Sequence, residues 1–328
     1  MLLAGDIGGT KADLALYSAE TGPQSALVSR RYPVSDYDNL ESLVAAFLRA
    51  TEAEVTAACF GVAGPVVDGQ ATGTNLPWTL SERSLSHGLG GTPVHLLNDL
   101  EAIAYGVPML SSDDRYTLSS GSAEPQGAIA IIAPGTGLGT GYLVHDGQSY
   151  RAYPSEGGHS DFAPNTSRQC ALWRYLHQRY GHVSCERVCS GVGIPNLYAF
   201  LRDCGNVEEP QWLSEALVEA EDATPIIVKA AQADAPCPIC RQTLDLFVSI
   251  LGSIAGDMAL TWMATGGVYL AGGIPPRILP QLQHPTLLQA FWAKGRLGTV
   301  VRRMPLHVIT HPHVGRLGAA SYGLNRMP

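Results

Sequence analysis

Apolar and polar positions along the chain follow two periods that alternate from one end to the other. Short continuous apolar runs predict buried strands, and apolar residues spaced every three or four positions predict amphipathic helices. The predicted strands cover residues 2–5, 12–17, 57–62, 94–97, 128–133, 142–144, 268–273 and 306–310. The predicted helices cover residues 40–50, 81–89, 171–180, 196–201, 206–235, 243–265 and 316–324, and one more begins near Ala102. This alternation predicts an α/β fold.

The chain has 328 residues, which is more than one typical domain. A turn-rich stretch in which Ser, Asp and Gly cluster, residues 109–125, separates two lobes. We expect a small α/β lobe over residues 1–109, a large α/β lobe over 110–313, and a final helix, 314–328, that packs back on the small lobe. A strand, a turn rich in Gly and Thr and a second strand stand near the start of each lobe. This repeated layout indicates a degenerate internal duplication.

The composition of the chain argues against some classes of binding partner. The net charge is −8 and no basic run is present, which argues against nucleic acid or an anionic membrane as the main partner. The start of the chain lacks the cationic and apolar regions of a signal peptide, and the most apolar run, residues 246–256, is too short to span a membrane. Seven scattered cysteines suggest reduced thiols in a cytoplasm. Cys237 and Cys240 form half a zinc motif that has no convincing second half.

Two glycine-rich hairpins are candidates for phosphate binding. In the first, Gly8 and Gly9 allow positive φ and close approach of backbone N–H groups to a ligand, although an ordinary hairpin is equally consistent with this pair alone. Asp6 precedes them, and a carboxylate beside a phosphate requires a cation, so we expect Asp6 to hold Mg²⁺ through water. The second hairpin, residues 134–141, lacks the spacing of a P-loop. It also leads into a strand rather than a helix, which argues against a dinucleotide fingerprint.

An acid at a strand-to-helix turn is the candidate general base. Asp99 follows the apolar run 94–97 and precedes the helix that begins near Ala102. Such a position is exposed, yet backbone holds it on both sides. We therefore expect Asp99 to accept a proton during catalysis.

Three further positions carry polar or glycine residues of interest. Glu156 and His159 have a spacing found in helical metal sites, but flanking Pro and Gly residues oppose a helix, so recognition of hydroxyl groups is favoured, with a capped loop as the alternative. Glu186 alone is more typical of a solvated surface charge. Gly272 and Gly273 end a strand, where open α/β sheets bind ligands, and close packing is an equal alternative.

Seven segments occur in the same order as in the bacterial glucokinases, and the resemblance extends over the whole chain. They are Gly5-Asp-Ile-Gly-Gly-Thr10, Gly61-Val-Ala-Gly-Pro65, Thr74-Asn-Leu-Pro-Trp78, Leu97-Asn-Asp-Leu-Glu-Ala102, Ala133-Pro-Gly-Thr-Gly-Leu-Gly139, Ser155-Glu-Gly-Gly-His159 and Leu270-Ala-Gly-Gly-Ile274. More broadly, the chain resembles the actin/hexokinase/Hsp70 superfamily of ATP-binding proteins. This resemblance implies a two-lobed actin-like, ribonuclease H-like ATPase fold: duplicated mixed β-sheet domains flanked by helices, with a central cleft.

The resemblance also implies a function. It implies a cytoplasmic homodimer that phosphorylates D-glucose to glucose 6-phosphate, the first step of glycolysis, with ATP, Mg²⁺ and Asp99 as the base. The implied ATP contacts are Gly5, Asp6, Ile7, Gly8, Gly9, Thr10, Gly135, Thr136, Gly137, Gly272 and Gly273. The implied sugar contacts are Asn75, Asn98, Asp99, Glu156, His159 and Glu186.

One departure from the glucokinase pattern keeps other functions open. Lys11 stands where this group often has Asn, and is more typical of the related ROK (repressor, ORF, kinase) sugar kinases. Those usually carry a cysteine-rich zinc motif after their Glu-x-Gly-His motif, whereas here only Cys170 lies just downstream, which favours the non-zinc glucokinase branch. The alternatives are a hexose or N-acetylhexosamine kinase of the ROK type and a non-catalytic protein that senses sugar and ATP.

Overall fold

The computed structural model describes residues 1–72, 76, 78–205 and 207–327, and the predicted sugar contact Asn75 lies outside them. The strands are β1 (Leu2–Ile7), β2 (Lys11–Tyr17), β3 (Val28–Pro33), β4 (Ala57–Val62), β5 (Val66–Val67), β6 (Gln70–Thr72), β7 (Thr79–Ser81), β8 (Val94–Asn98), β9 (Arg115–Ser119), β10 (Ile129–Pro134), β11 (Leu138–His145), β12 (Tyr150–Ser155), β13 (Gly267–Leu270) and β14 (Leu306–Ile309). The helices are α1 (Leu40–Thr51), α2 (Glu82–Gly88), α3 (Asp99–Gly106), α4 (Ser167–Tyr180), α5 (Gly193–Cys204), α6 (Gln211–Glu219), α7 (Ala223–Gln232), α8 (Pro238–Thr261), α9 (Leu279–Leu282), α10 (Pro285–Trp292), α11 (Gly298–Val301) and α12 (Val314–Leu324).

The chain forms two compact units. Unit 1 consists of residues 1–115, 143–154 and 310–328, and unit 2 consists of residues 116–142 and 155–309. The C-terminal helix α12 therefore belongs to the same unit as the N-terminal strands.

The sheet of unit 1 has the strand order β3-β2-β1-β4-β8. Strands β1, β2 and β3 pair antiparallel, whereas β1, β4 and β8 pair parallel. Side chains alternate between the two faces of a strand. Leu2 and Ala4 of β1 therefore pack with α3 and α12, while Leu3 and Ile7 pack on the other face with α1 and α2. Because both faces are covered, β1 and β4 are almost entirely buried.

The second large sheet has the strand order β12-β11-β10-β13-β14-β9, in which β10, β13 and β14 are parallel. Its first five strands repeat the order of the first sheet, with β10, β11 and β12 in the places of β1, β2 and β3. The two glycine hairpins, β1–β2 and β10–β11, thus occupy the same place in two copies of one topology. This confirms the expected duplication and the mixed α/β fold.

Helix α8 is the main core element of unit 2. It is long and apolar enough to cross a membrane by length and composition, but most of its residues are buried against the protein. It begins at Pro238, five residues before the predicted start, because proline is favoured in the first turn of a helix. It ends at Thr261, before the predicted end at residue 265.

Other differences from the predicted elements have local causes. The acidic stretch 206–235 contains two helices rather than one, because the side chain of Asp222 accepts a hydrogen bond from Thr224 N (2.9 Å) and starts α7 anew. Strand β11 begins at Leu138 rather than Tyr142, so its Gly- and Thr-rich start is part of the sheet. Strand β3, by contrast, is exposed at the sheet edge and has no apolar pattern that predicts it.

Candidate active site

The first glycine hairpin joins β1 to β2. Gly8 N donates to Lys11 O (2.9 Å) and closes the turn. The hairpin does not use the positive φ that glycine allows, because neither Gly8 nor Gly9 is among the positive-φ glycines of the described residues. Gly5 and Ile7 are buried within β1, and a Cβ at Gly5 would lie 2.6 Å from the side chain of Leu14. Gly5 therefore serves close packing within the unit.

Asp6 lies at the end of β1 in an acidic environment. It is paired with Asp13 across the antiparallel β1–β2 ladder. On its other side it approaches the start of α12, where a Cβ at Gly315 would be 2.9 Å from Asp6 Oδ2. Burial, followed by the negative charges of Asp99 and Asp13, raises the pKa of Asp6 to about 6.

The basic side chains near Asp6 pair with Asp13 instead. Arg316 Nη1 lies 2.6 Å from Asp13 Oδ1, and His313 Nδ1 lies 2.5 Å from Oδ2. Arg316 also donates through Nε to the hydroxyl of Tyr17 (3.2 Å). Among the described residues, Asp6 has no ion pair of this kind, so its carboxylate remains available to a cation.

The donors near Asp6 fit a magnesium ion. Mg²⁺ prefers oxygen ligands, keeps several waters and is commonly held by one or two carboxylates together with substrate phosphates. Asp6 offers such a carboxylate beside the first hairpin. No cluster of three or more His, Cys, Asp or Glu side chains suited to a metal occurs in the described part of the chain, so a closed cage made only of protein side chains is not found there.

Asp99 is the first residue of α3, directly after β8. Asn98 caps the helix: its Oδ1 accepts a hydrogen bond from Leu100 N (2.9 Å), and its Nδ2 donates to Gly64 O (2.9 Å). Leu100 N also donates to Asp99 Oδ1 (2.9 Å). Asp99 is exposed, but the surrounding protein removes part of its hydration and thereby raises its pKa above the ordinary value. Ile7 of β1, Val62 of β4 and Asn98 of β8 are paired across the sheet, so Asp6 and Asp99 lie at the same edge of it, and the charge of Asp99 contributes to the raised pKa of Asp6.

The second hairpin lines a cavity of about 740 Å³ in unit 2. This volume lies within the range of small-molecule sites. The lining residues come from the hairpin, from α7 and from the segment after β13: Gly135, Thr136, Gly191, Asp222, Thr224, Pro225, Val228, Lys229, Gln232, Ala233, Gly273, Ile274, Arg277 and Ile278. Apolar side chains form much of the wall, and Lys229 and Arg277 add positive charge. This combination suits a flat base attached to phosphates.

The two glycines after β13 have different roles. Gly272 has φ of +80°, and a Cβ there would lie 2.6 Å from Pro134 O, so this glycine is required for packing. A Cβ at Gly273 would meet nothing within 4 Å, and Gly273 lines the cavity. Gly135 is likewise open and lines the same cavity. A side chain at either of these two open glycines would contact no other protein atoms, so a ligand can occupy that space.

The predicted sugar residues of unit 2 lie on two neighbouring segments. Glu156 precedes a short 3-10 turn, Gly157–His159, and His159 is its last residue. Both side chains are exposed, and His159 Nε2 lies 3.9 Å from Glu156 Oε2. Glu186 is partly buried, and its Oε2 accepts a hydrogen bond from Leu138 N (2.9 Å). Glu186 N donates to Gly158 O (2.9 Å), which joins the two segments.

Sequence reasoning missed the helical wall of the cavity. Thr224, Pro225, Val228 and Lys229 of α7 carry no motif, and only the turn that separates α6 from α7 brings them to the hairpin. A local signal did exist in the Asp222 cap, which starts α7. Cys237 and Cys240 are buried free thiols at the start of α8, within the core of unit 2.

Comparison with known proteins identifies the family. A sequence model of the glucokinase family, described as "Glucokinase", matches residues 3–326. The chain belongs to the glucokinase family. It is 38% identical to the glucokinase of Nostoc punctiforme over 98% of both chains. The crystal structure of a glucokinase from an Antarctic psychrotroph superimposes with a TM-score of 0.86 at 31% identity, covering 99% of this chain and 98% of that one.

A more distant neighbour shows the same fold. A ROK family glucokinase from Streptomyces griseus, solved with glucose and AMPPNP, superimposes with a TM-score of 0.64 at 18% identity, covering 99% of both chains. The glucokinase family thus shares its actin-like fold with the ROK kinases.

Proposed function

We propose that this chain transfers the γ-phosphoryl group of ATP to the 6-hydroxyl of D-glucose. Membership of the glucokinase family over nearly the whole chain supports this reaction. The observation that carries the mechanism is the place of Asp99: an exposed carboxylate at the start of α3, at the same edge of the sheet as Asp6 and the end of β1.

Asp99 is proposed as the general base. As the sugar oxygen forms a bond to the γ-phosphorus, the bond from that phosphorus to the β–γ bridging oxygen breaks, ADP leaves and the hydroxyl proton passes to Asp99. A raised pKa makes this carboxylate a stronger base than an ordinary aspartate. Leu100 N holds Oδ1 and thereby orients the carboxylate. A positioned base contributes about 10²–10⁴-fold to such a reaction.

ATP is proposed to bind both hairpins. The cavity beside Gly135 and Gly273 would accept the adenosine, and Thr136 and Gly137 would approach the phosphates through backbone N–H groups. Gly8, Gly9 and Thr10 would do so from the first hairpin. Asp6 would hold Mg²⁺ through water, and the ion would neutralise charge on the phosphates.

Glucose is proposed to bind through six residues: Asn75, Asn98, Asp99, Glu156, His159 and Glu186. Asn98 Oδ1 uses one lone pair on Leu100 N, so a second lone pair remains for a hydroxyl. Glu156 and His159 are exposed side chains with unused polar atoms. A site matched to hydroxyls penalises a sugar that lacks one.

Further properties belong to the same proposal. By analogy with the family we propose a cytoplasmic homodimer that acts at the start of glycolysis and binds neither nucleic acid nor a membrane. We also propose the lobe limits 1–109, 110–313 and 314–328 as functional divisions: the first hairpin and base, the second hairpin with adenosine and sugar contacts, and the returning helix.

A coupled assay for glucose 6-phosphate tests the reaction. The purified protein should form it from glucose and MgATP, and a panel of mannose, glucosamine, N-acetylglucosamine and fructose should react less well. Asp99→Asn should reduce kcat by about 10²-fold or more while glucose still binds. Wild-type protein without hexose kinase activity would refute the function, and near-normal turnover of Asp99→Asn would refute the role of the base.

A further inference from the structure

One segment of unit 2, residues 184–193, contacts both loops to which the proposed function assigns substrates. We call it the bridge segment, residues 155–160 the sugar loop and residues 134–139 the second phosphate hairpin. Toward the sugar loop, Cys185 N donates to Ser160 O and Glu186 N donates to Gly158 O, both at 2.9 Å. The backbone of the bridge segment is thus fixed to the loop that carries Glu156 and His159.

The same segment is fixed to the second phosphate hairpin. Gly191 N donates to Gly135 O (2.7 Å), and Val192 N donates to Thr136 O (3.2 Å). The contact continues into the cavity, because Thr224 Oγ1 of α7 donates to Gly191 O (2.7 Å). Hydrogen bonds therefore run without interruption from the sugar loop through the bridge segment to the hairpin and the cavity wall.

The side chain of Glu186 connects the bridge segment directly to the second phosphate hairpin. Its Oε2 accepts the backbone N–H of Leu138 at 2.9 Å. A Cβ at Gly137 would lie 2.4 Å from that oxygen, so the glycine keeps space for the carboxylate. The backbone of Glu186 is held in turn by Ser190 Oγ, which donates to Glu186 O (2.6 Å). Among the described residues Oε1 has no hydrogen-bond partner, so it can accept one from a sugar hydroxyl.

We propose that Glu186 is a positioning residue that couples sugar binding to the geometry of the second phosphate hairpin. This inference rests on the proposed function, because it assumes that sugar and nucleotide bind to the two loops. A hydroxyl bound to Oε1 fixes the rotation of the carboxylate, and the same rotation sets where Oε2 holds Leu138 N. Glucose and the nucleotide then strengthen each other's binding, and the effect is reciprocal by thermodynamic linkage.

The test is a binding titration with the nonhydrolysable ATP analogue AMPPNP and Mg²⁺, with and without saturating glucose. In Glu186→Ala the Leu138 N–H loses its acceptor, so AMPPNP without sugar should bind about tenfold more weakly, which corresponds to about 1.4 kcal/mol. Glucose should no longer tighten AMPPNP binding in this variant. Glu186→Gln retains a side-chain carbonyl oxygen for Leu138 N–H, so its AMPPNP affinity without sugar should stay within about twofold of wild type.

Two variants serve as controls. Glu156→Ala removes an exposed carboxylate of the sugar loop whose only ion pair in the described residues is with His159. It should weaken glucose binding and leave AMPPNP affinity without sugar unchanged. Gly137→Ala places a methyl group against Glu186 Oε2 while the carboxylate is still present; since Gly137 is itself a proposed phosphate contact, the readout for this variant is the loss of tightening by glucose, not the affinity without sugar.

The outcomes separate this inference from the reaction itself. Wild-type AMPPNP affinity in Glu186→Ala without sugar, or undiminished tightening by glucose, would overturn the positioning role and leave Glu186 a sugar contact only. If Glu186→Ala melts too low to titrate, Gly137→Ala decides: undiminished tightening of AMPPNP binding by glucose in that variant would overturn the positioning role. Absence of glucose phosphorylation in wild type would refute the proposed function, whereas the titrations without sugar would still report on the hairpin.

Discussion

Replacing Asp6 with Asn should stabilise the substrate-free protein at neutral pH, because the native carboxylate is ionised in an unfavourable place. Burial and the charges of Asp99 and Asp13 raise the pKa of Asp6 from 3.8 to about 6. At about pH 7.5 the group is ionised in both the folded and the unfolded chain. The pKa difference of about 2 units then corresponds to at most about 3 kcal/mol against folding. Asn has nearly the same shape and no charge, so it removes this cost.

The stabilisation by Asp6→Asn should be smaller at acidic pH. A carboxyl group whose pKa is raised on folding favours the folded state below its unfolded value of 3.8, and this contribution is lost as the pH rises through about 6. Near pH 5 most folded molecules already carry a proton on Asp6. The stabilisation by Asp6→Asn should there be about half of that at about pH 7.5.

Calorimetry gives a direct measurement. The entropy of unfolding is about 2 cal/mol/K per residue, or about 0.7 kcal/mol/K over 328 residues. A gain of at most about 3 kcal/mol therefore raises Tm by up to about 4 °C. MgATP should stabilise the wild type more than the variant, since Asp6 is the proposed magnesium residue. Kinase activity should fall even though Tm rises.

Asp13→Asn is the matched control. It makes the same change on the neighbouring strand at the position that faces Asp6. Its carboxylate, however, is paired with Arg316 and His313, so the control should lower Tm instead. If Asp6→Asn melts at or below the wild-type temperature near pH 7.5, or if the two variants shift Tm equally, the charge argument is wrong.

Three further predictions follow from single contacts. The acid limb of the kcat–pH profile should lie above the ordinary aspartate value of 3.8, because kcat is lost as the pH falls through the raised pKa of Asp99; a limb at 3.8 would contradict this. Gly273→Val should raise the KM for ATP and leave Tm unchanged, whereas Gly272→Ala, strained by its positive φ and its contact, should lower Tm. Arg316→Met should cost up to about 3 kcal/mol in urea unfolding, because the partly buried carboxylate of Asp13 loses this partner and keeps only His313 and Arg31. Arg31→Met, which removes an exposed partner at 3.5 Å, should cost at most about 1 kcal/mol.

The predicted elements that matched the structure are those with strong apolar periodicity. Strand β4 was predicted with the observed limits, and β8 and α12 to within one or two residues, because each buries a continuous apolar run or stripe. The edge strand β3 and the small sheet β5–β7 escaped prediction, since strands that pack little against a core carry no such pattern.

Some parts of the candidate site could likewise be predicted from the sequence, and others could not. The turn at Asp99 was predictable because the end of an apolar run and the start of a helix are both local signals. The hydrogen bond from Leu138 N to Glu186 joins residues 48 positions apart and depends on tertiary folding. The division of roles between Gly272 and Gly273 could not be read either, because it depends on the position of Pro134 on another strand.

The two sheets share a strand order but carry different chemistry at equivalent strand ends. In unit 1, Asp6 is the last residue but one of β1 and Asp99 follows β8, so both carboxylates lie at the same edge of the sheet. In the second large sheet, Pro134 stands at the end of β10 and Thr310 follows β14, so neither equivalent end carries an acid. The end of β13 instead carries the open Gly273, which lines the cavity with apolar and cationic neighbours. A duplicated framework has therefore separated carboxylate chemistry, with its cost in stability, from a cavity suited to an anionic ligand. We expect substitution of Asp99 to affect kcat and substitutions around the cavity to affect the KM for ATP.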